Sequence, residues 1–242
     1  DNTALIQLQD LDRDGERETA VTFFRVSEAE KPLKIYFFTR TAEDTYTVSA
    51  MVEGNGTAIY RVDYVDLNGS GCKEVVVSWQ MSTGVYLLGT YSLEEAMVRS
   101  LQYAASAPAG SATAQGLPDR EALRATEWMT TVYDDYALYD LDQDTRTELA
   151  VVRVDKAGTN SAVDLYGWRD GSFMVRASTP LSMGISSVEK NGVETNFLKE
   201  DGDVPVRALY VSSELADGHH VVDVVAYQDG NLKNLSLDEN GV

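Results

Sequence analysis

Three short segments of this chain place oxygen-bearing side chains at a spacing that suits cation binding. They are residues 10–18, 66–74 and 140–148, named here loops 1, 2 and 3, and each follows the pattern D-L-[DN]-x-[DS]-[GT]-x-x-E. Alternate side chains on a tight turn converge, and two carboxylates about 4 Å apart repel by roughly 4 kcal/mol at an effective dielectric near 20. A hard cation removes that repulsion, and calcium accepts about six to eight oxygen ligands. The pattern therefore predicts a cation site in each loop.

The predicted ligands are the first, third, fifth and ninth residues of each loop. They are Asp10, Asp12, Asp14 and Glu18; Asp66, Asn68, Ser70 and Glu74; and Asp140, Asp142, Asp144 and Glu148. Loop 2 keeps two carboxylates and is expected to bind most weakly. Loop 3 has Thr145 where loop 1 has Gly15, which predicts a stiffer turn. Two interpretations stay open, a structural calcium ion or solvated Asp/Gly turns without metal, and the ninth residue could instead cap the following strand.

The sequence around the loops predicts β-strands. Val, Ile, Thr and aromatic residues recur with a period of two before and after each loop, as in residues 74–79, and this pattern is typical of strands. We predict an all-β fold of about four four-stranded antiparallel units, at residues 4–57, 58–103, 132–180 and 204–242. In the last unit the acidic loop is lost, and residues 212–214 stand where it would begin. The loops do not fit an EF-hand, because position twelve of loop 1 is Val21 and the flanks are strands.

One insert, residues 104–131, interrupts the repetition. Residues 104–118 are rich in Ala, Ser, Gly and Pro and predict a flexible linker. Residues 119–130 follow Pro118 and predict one short helix. The strand predicted at 97–103 would end the second unit, and a single strand at 132–139 would follow the insert.

Composition excludes several classes of protein. The formal net charge of −19 and the pI near 4.3 would repel phosphate backbones, so we expect no nucleic-acid partner. No apolar run approaches the roughly 20 residues of a membrane helix, so we expect no transmembrane segment in this chain. Cys72 is the single cysteine, which excludes an internal disulfide and is interpreted as structural. The two histidines, His219 and His220, are adjacent and are interpreted as surface residues because neighbours on a strand face opposite sides.

The acidic loops, each followed by a Val-rich strand, resemble the FG-GAP/VCBS type of β-propeller repeat, which also occurs in the heads of integrin α-subunits. The resemblance covers the three loops and, more loosely, the whole chain. It implies one propeller-like domain over residues 1–242, either a small ring of about four blades or part of a larger propeller. It also implies structural Ca²⁺ in the acidic loops and an extracellular or cell-surface protein, such as a bacterial secreted protein or lipoprotein. That family more often has Asp at the ninth position, where this chain has Glu in all three loops.

The function expected from this resemblance is a non-enzymatic module that binds a protein or a glycan through its loop surfaces. One alternative is a carbohydrate-active enzyme of propeller fold, a lyase or glycosidase, which a pocket with converging carboxylates and a raised pKa would favour. Another is a purely structural segment of a larger protein. The aromatic residues in the predicted strands are interpreted as core rather than as a carbohydrate platform. The sequence begins at Asp1 and shows no signal peptide, so we expect the signal sequence or lipid anchor to lie outside it.

Overall fold

Four four-stranded sheets and one helix make up the described part of the chain. The computed structural model describes residues 6–15, 17, 19–27, 30–42, 45–106, 121–157, 160–198 and 206–237. Every strand pair whose register is resolved within a sheet is antiparallel. The predicted all-β class and the four-stranded antiparallel units are therefore confirmed.

The first sheet contains four strands that follow one another in the chain. They are β1 (Ile6–Gln9), β2 (Thr19–Arg25), β3 (Leu33–Ala42) and β4 (Thr45–Gly54), in the order β1-β2-β3-β4. Alternation places one face in the core, where Val21 lies opposite Phe37 and Ile35 lies opposite Val52. All four of these side chains are buried.

The second sheet has the order β5-β6-β7-β8. Its strands are β5 (Ala58–Val65), β6 (Glu74–Gln80), β7 (Tyr86–Ser92) and β8 (Thr126–Tyr133). Strand β6 has three consecutive valines because both of its faces are covered, and every residue from Glu74 to Trp79 is buried. Tyr91 of β7 accepts a hydrogen bond from Nε1 of Trp79 at 3.1 Å, and its burial raises the pKa of the phenol to about 12.

The helix lies earlier in the chain than the sequence predicted. Helix α1 (Glu94–Ser106) occupies the position predicted as a strand at 97–103, and the described part of the predicted helix at 119–130 is a turn followed by β8. The physical reason is visible in the sequence S-L-E-E from Ser92, which is a capping-box pattern followed by good helix formers. The backbone N–H of Met97 donates to the Leu93 carbonyl at 2.9 Å, which closes the first turn.

The third and fourth sheets use the remaining strands. The third is β9 (Asp135–Tyr139), β10 (Glu148–Arg153), β11 (Ala162–Arg169) and β12 (Ser172–Pro180); the fourth is β13 (Ile185–Leu198), β14 (Val206–Leu215), β15 (His220–Gln228) and β16 (Asn231–Asn234).

Two predicted boundaries in this half are wrong. The strand predicted at 132–139 is broken at Asp134, where β8 of the second sheet ends and β9 of the third begins. Residues 212–214 lie inside β14, and the connection from the first to the second strand of the fourth sheet is residues 199–205, which lie outside the described residues. The last unit predicted at 204–242 therefore omitted β13, its first strand.

The described residues divide into two compact units. The first contains those within 1–66 and 70–131, and the second contains those within 67–69 and 132–242. Each unit has its own buried core, one including Val21, Phe37 and Val77 and the other including Val152, Leu165 and Val211. The single domain over residues 1–242 stays a prediction. No helix among the described residues has the length and apolarity that a membrane crossing requires.

The aromatic residues do not all pack as predicted. Tyr91 lies in the core of the first unit, but Tyr60 is 60% exposed and contacts the ring of Tyr86 at a centroid distance of 5.0 Å. Their rings are inclined by 58°, so the pair does not form a flat platform on which a sugar ring could stack.

Candidate metal centre

The three loops occupy the same place in three different sheets. Loop 1 joins β1 to β2, loop 2 joins β5 to β6, and loop 3 joins β9 to β10. In all three loops the fourth and sixth residues have positive φ, namely Arg13 (62°) and Gly15 (96°), Gly69 (74°) and Gly71 (92°), and Gln143 (62°) and Thr145 (76°). The second residue is a buried leucine in each case, Leu11, Leu67 or Leu141. The repeated sequence pattern therefore corresponds to a repeated backbone turn, as predicted.

The predicted ligands take part in building this turn. The N–H of the sixth residue donates to the first carboxylate, from Gly15 to Asp10 at 3.2 Å and from Gly71 to Asp66 at 3.0 Å. The N–H of the fifth residue donates to the third, from Asp14 to Asp12 at 3.3 Å and from Asp144 to Asp142 at 3.1 Å. These are short-range contacts that Asp and Ser favour in turns. Each such carboxylate has one oxygen engaged with the backbone.

Loop 1 brings three of its four predicted ligands together. One carboxylate oxygen from each of Asp10, Asp12 and Asp14 lies within 4.8 Å of the others. Oxygens that bind one calcium ion at about 2.3–2.6 Å are separated by up to roughly 5 Å, so this spacing fits a single ion. Asp10 Oδ1 is buried and has no hydrogen-bond partner among the described residues. The fourth predicted ligand, Glu18, lies outside the described residues.

No cationic side chain of the described residues forms an ion pair with Asp10 or Asp12. Lys73 contacts the loop through its backbone, since its Nζ donates to the carbonyl of Asp10 at 2.7 Å. The carboxylates of Asp10 and Asp12 therefore carry negative charge that no ion pair among the described residues compensates.

Loop 3 brings a different set together. Its converging carboxylates are those of Asp140, Asp142 and Glu148, and Asp144 is exposed and accepts a hydrogen bond from the N–H of Arg146 at 2.9 Å. Two guanidinium groups compensate this cluster. Arg207 Nη1 forms an ion pair with Asp140 and donates to its backbone carbonyl at 2.7 Å.

Arg176 supplies the second positive charge of loop 3. Its Nη1 lies 2.9 Å from Asp142 Oδ2 and 3.5 Å from Glu148 Oε1. The path to the loop passes over Gly167, where a Cβ would lie 2.5 Å from Arg176 Cδ. Gly167 therefore provides the space through which the arginine reaches the carboxylates.

Glu148, the ninth residue of loop 3, is almost fully buried. Its Oε2 accepts a hydrogen bond from the N–H of Leu141 at 2.9 Å, so it fastens the end of the loop to its beginning. Burial, and then the negative charges of Asp142 and Asp144, raise the pKa of Glu148 to about 7. This carboxyl group is therefore a structural brace with a proton affinity far above that of an exposed glutamate.

Loop 2 uses its predicted ligands differently. Asp66 forms an ion pair with Arg13 of loop 1 at 3.3 Å, and Ser70 Oγ accepts a hydrogen bond from the N–H of Cys72 at 3.2 Å. Asn68 is half-buried and Glu74 is buried. No group of three potential metal-binding side chains of Asp, Glu, His or Cys is found here among the described residues.

Sequence reasoning missed the cations that serve these loops. Lys73 and Arg207 come from other sheets than the loops they contact, and Arg176 comes from β12, the strand of the third sheet farthest from β9, so no local pattern could have paired them. A charged residue within an apolar strand, such as Arg176 of β12, and a glycine within its neighbour β11 were the available signals.

The remaining polar residues behave as surface or structural groups. His219 and His220 are exposed, and Nδ1 of His220 lies 2.7 Å from Glu189 Oε1. Cys72 is half-buried, and burial together with the nearby carboxylates of Glu94 and Asp12 raises the pKa of its thiol.

Comparisons with known proteins add no family assignment, since no protein-family model and no curated protein matches the chain.

Proposed function

We propose that this chain is a non-enzymatic, extracellular binding module of the FG-GAP/VCBS type, built from β-propeller-type blades. In this proposal, loop 1 binds a structural Ca²⁺ ion, and the surfaces formed by the loops bind a protein or a glycan. The observation that carries the proposal is one acidic turn that occurs between the first and second strands of three four-stranded sheets. In each case its fourth and sixth residues have positive φ angles.

The chemistry of loop 1 supports calcium in preference to other ions. Its converging ligands are all carboxylates, which suit hard cations and give transition metals little preference. Three Asp side chains offer up to about six oxygens, and calcium tolerates the irregular angles that a nine-residue turn would impose. Millimolar calcium outside cells would load a site of modest affinity, which supports an extracellular location.

Loops 2 and 3 are proposed to be stable without a metal ion. In loop 3, Arg176 and Arg207 place two positive charges on the three carboxylates. In loop 2, Asp66 forms an ion pair with Arg13, and the side chains of Asn68 and Ser70 are neutral. We therefore expect about one calcium site per chain, although the sequence pattern occurs three times.

Calcium titration tests this proposal. The chain is stripped with EDTA, and its thermal unfolding is followed while free Ca²⁺ is raised to about 10 mM at constant ionic strength. Binding to the native state alone stabilises by RT ln(1 + [L]/Kd), about 2.7 kcal/mol at 100 times Kd, so the midpoint should rise. Isothermal titration should give about one site, and a magnesium titration controls for general screening. An unchanged melting curve across millimolar calcium rejects the metal part of the proposal.

The enzyme alternative gains no specific support from the carboxyl group with the strongly raised pKa. Glu148 is almost fully buried, and its two oxygens contact the Leu141 N–H and the Arg176 guanidinium. A general acid must reach its substrate, and Glu148 is enclosed by its own loop and strand. Its raised pKa follows from its burial and from the negative charges of Asp142 and Asp144.

A further inference from the structure

An apolar groove in the first compact unit lies between helix α1, loop 1 and the end of loop 2. We call it the helix groove. Its cavity volume is about 250 Å³, and its apolar lining includes Leu11, Leu93 and Met97. The thiol-bearing residue Cys72 also lines it. The groove is therefore built by residues of loops 1 and 2 and by helix α1.

One face of α1 lines this groove. Glu94, Met97, Val98 and Leu101 all line it, and they follow the i, i+3, i+4, i+7 spacing of a single helical face. The other face holds the helix in place, since Ala96 is fully buried and Ser100 Oγ donates to the Val48 carbonyl at 2.7 Å. Arg99 Nε also donates to the Ala122 carbonyl at 3.0 Å.

The groove face leaves large apolar side chains in solvent. Val98 is 47% exposed and Leu101 is 59% exposed. They are adjacent on the helix, and they border a cavity instead of standing alone on a polar surface. Because the anchoring face already fixes α1, these two exposed side chains are not needed to hold the helix.

The charge of the groove indicates that its partner is basic. Its charged lining residues are Asp12, Glu74, Glu94 and Lys73. Lys73 is the single cation among them, and its Nζ is held by the Asp10 carbonyl. The carboxylates therefore outnumber the cation at the groove, and this local excess matches the net charge of −19 for the chain.

We propose that the helix groove binds a peptide segment in which a bulky aliphatic or aromatic side chain stands next to Lys or Arg. The apolar side chain would enter the cavity beside Met97 and Leu101, and the basic side chain would lie against Glu94. A volume of about 250 Å³ is below the roughly 300–1,000 Å³ of pockets for drug-sized ligands and suits one or two side chains. This inference rests on the proposed loop-surface binding and names its partner class, but it does not require calcium in loop 1.

The test uses three blocked, fluorescein-labelled heptapeptides and the whole chain in EDTA. The first alternates Lys with Leu or Phe, the second replaces the apolar residues by Ala, and the third replaces Lys by Glu. Fluorescence anisotropy should show the first binding at least tenfold more tightly than either other peptide. The Ala peptide measures general attraction to an acidic protein, so equal binding of the first and second peptides overturns the proposal.

Variants locate the site. Val98→Ser combined with Leu101→Ser should weaken binding of the first peptide at least tenfold, and Glu94→Gln should weaken it about threefold. The matched controls are Val222→Ser, whose side chain is 49% exposed in β15, and Glu95→Gln on the same helix; both should stay within twofold of the parent. A double variant that retains full affinity overturns the proposal.

A second measurement needs no substitution. Because Cys72 is the single cysteine and lines the groove, bound peptide should slow its alkylation by iodoacetamide at least fivefold. An unchanged alkylation rate at saturating peptide, or protection by a neutral oligosaccharide and not by the peptide, overturns the proposal. If calcium fails to raise the melting midpoint and the peptide still binds at the groove, calcium binding is rejected and the peptide-binding proposal is supported. Failure of the peptide alone leaves calcium binding intact.

Discussion

Loops 1 and 3 share one turn and differ in how its negative charge is compensated. In loop 1, three Asp carboxylates converge, and no described Lys or Arg side chain forms an ion pair with Asp10 or Asp12. In loop 3, Arg176 and Arg207 contact the converging carboxylates directly. The comparison teaches that the element shared by the two loops is the turn itself, with its buried leucine and its positive φ angles. Guanidinium groups contact its carboxylates in loop 3, and in loop 1 we propose that a metal ion takes their place.

The largest effect is expected from removing the arginine of loop 3. Arg176→Met leaves Asp142 and Glu148 without their positive partner in a nearly buried site, and breaking such a pair costs about 3 kcal/mol. Chemical denaturation should show this loss in the absence of calcium. The same variant should then regain stability as calcium is added, because its loop 3 would resemble loop 1.

The control is Arg169→Met, which removes an ion pair with Asp170 whose two side chains are both largely exposed. Its stability should change by less than about 0.5 kcal/mol, with no new response to calcium. If Arg176→Met were as stable as the parent, the account of loop 3 as arginine-compensated would be wrong.

The next largest effect concerns calcium binding by loop 1. Asp12→Asn removes one charge from loop 1 and keeps an oxygen for the Asp14 N–H, so it should remove most of the calcium-induced stabilisation, about 2 kcal/mol near saturation. Asp142→Asn in loop 3 should leave the calcium response of the chain unchanged. The two titrations are compared by thermal unfolding, and equal losses in both variants would contradict the assignment of the ion to loop 1.

A third prediction concerns pH. The folded-state pKa of Glu148 is raised to about 7, so between about pH 4.5 and 7 the native state holds a proton that the unfolded state has released. Stability contributed by this group is therefore present at low pH and falls as pH rises through 7, by at most about 1.4 kcal/mol per pH unit. Glu148→Gln, whose amide oxygen can still accept from Leu141, should flatten this dependence in denaturation curves measured in EDTA at pH 5 to 8. A parent chain whose stability rises over that range after subtraction of the Gln variant would refute the prediction.

The smallest effect concerns the backbone. Thr145 has a φ of 76° where loop 1 has Gly15 at 96°, and a β-branched residue in this region is strained by about 1 kcal/mol. Thr145→Gly should therefore stabilise the chain slightly, and Gly15→Thr should destabilise it by a similar amount. If the denaturation midpoint rises for Thr145→Gly and falls for Gly15→Thr, the two turns are equivalent. If both midpoints shift in the same direction, the turns are not equivalent.

The sequence predicted the parts of this molecule that depend on local pattern. The three loops and the strands that flank them were found because Asp, Gly and Val runs recur in one phase and because each turn is stabilised within itself. The predicted position of the helix is wrong because residues 97–103 also fit an alternating strand, which competes with the capping-box pattern at Ser92. The prediction of one strand at 132–139 was wrong because a bend at Asp134 separates β8 of the second sheet from β9 of the third.

The site could not be completed from sequence for a different reason. The partners of Asp140 and Asp142 are Arg207 and Arg176, which lie far away along the chain. Arg176 reaches the loop through the space left by Gly167. The helix groove likewise joins Leu11, Cys72 and Leu101 from three separate segments. Such contacts depend on how strands are ordered in sheets, which loop patterns do not encode.

The placement of α1 between β7 and β8 has a consequence for synthesis. The first sheet is complete once Gly54 has left the ribosome, but β7 ends at Ser92 and its neighbour begins at Thr126. At about 5–20 residues per second, the nascent chain carries an open β7 edge for seconds, and an open edge is a template for pairing with another chain. Polypeptides truncated before residue 126 should therefore self-associate, whereas those that extend beyond Tyr133 should not.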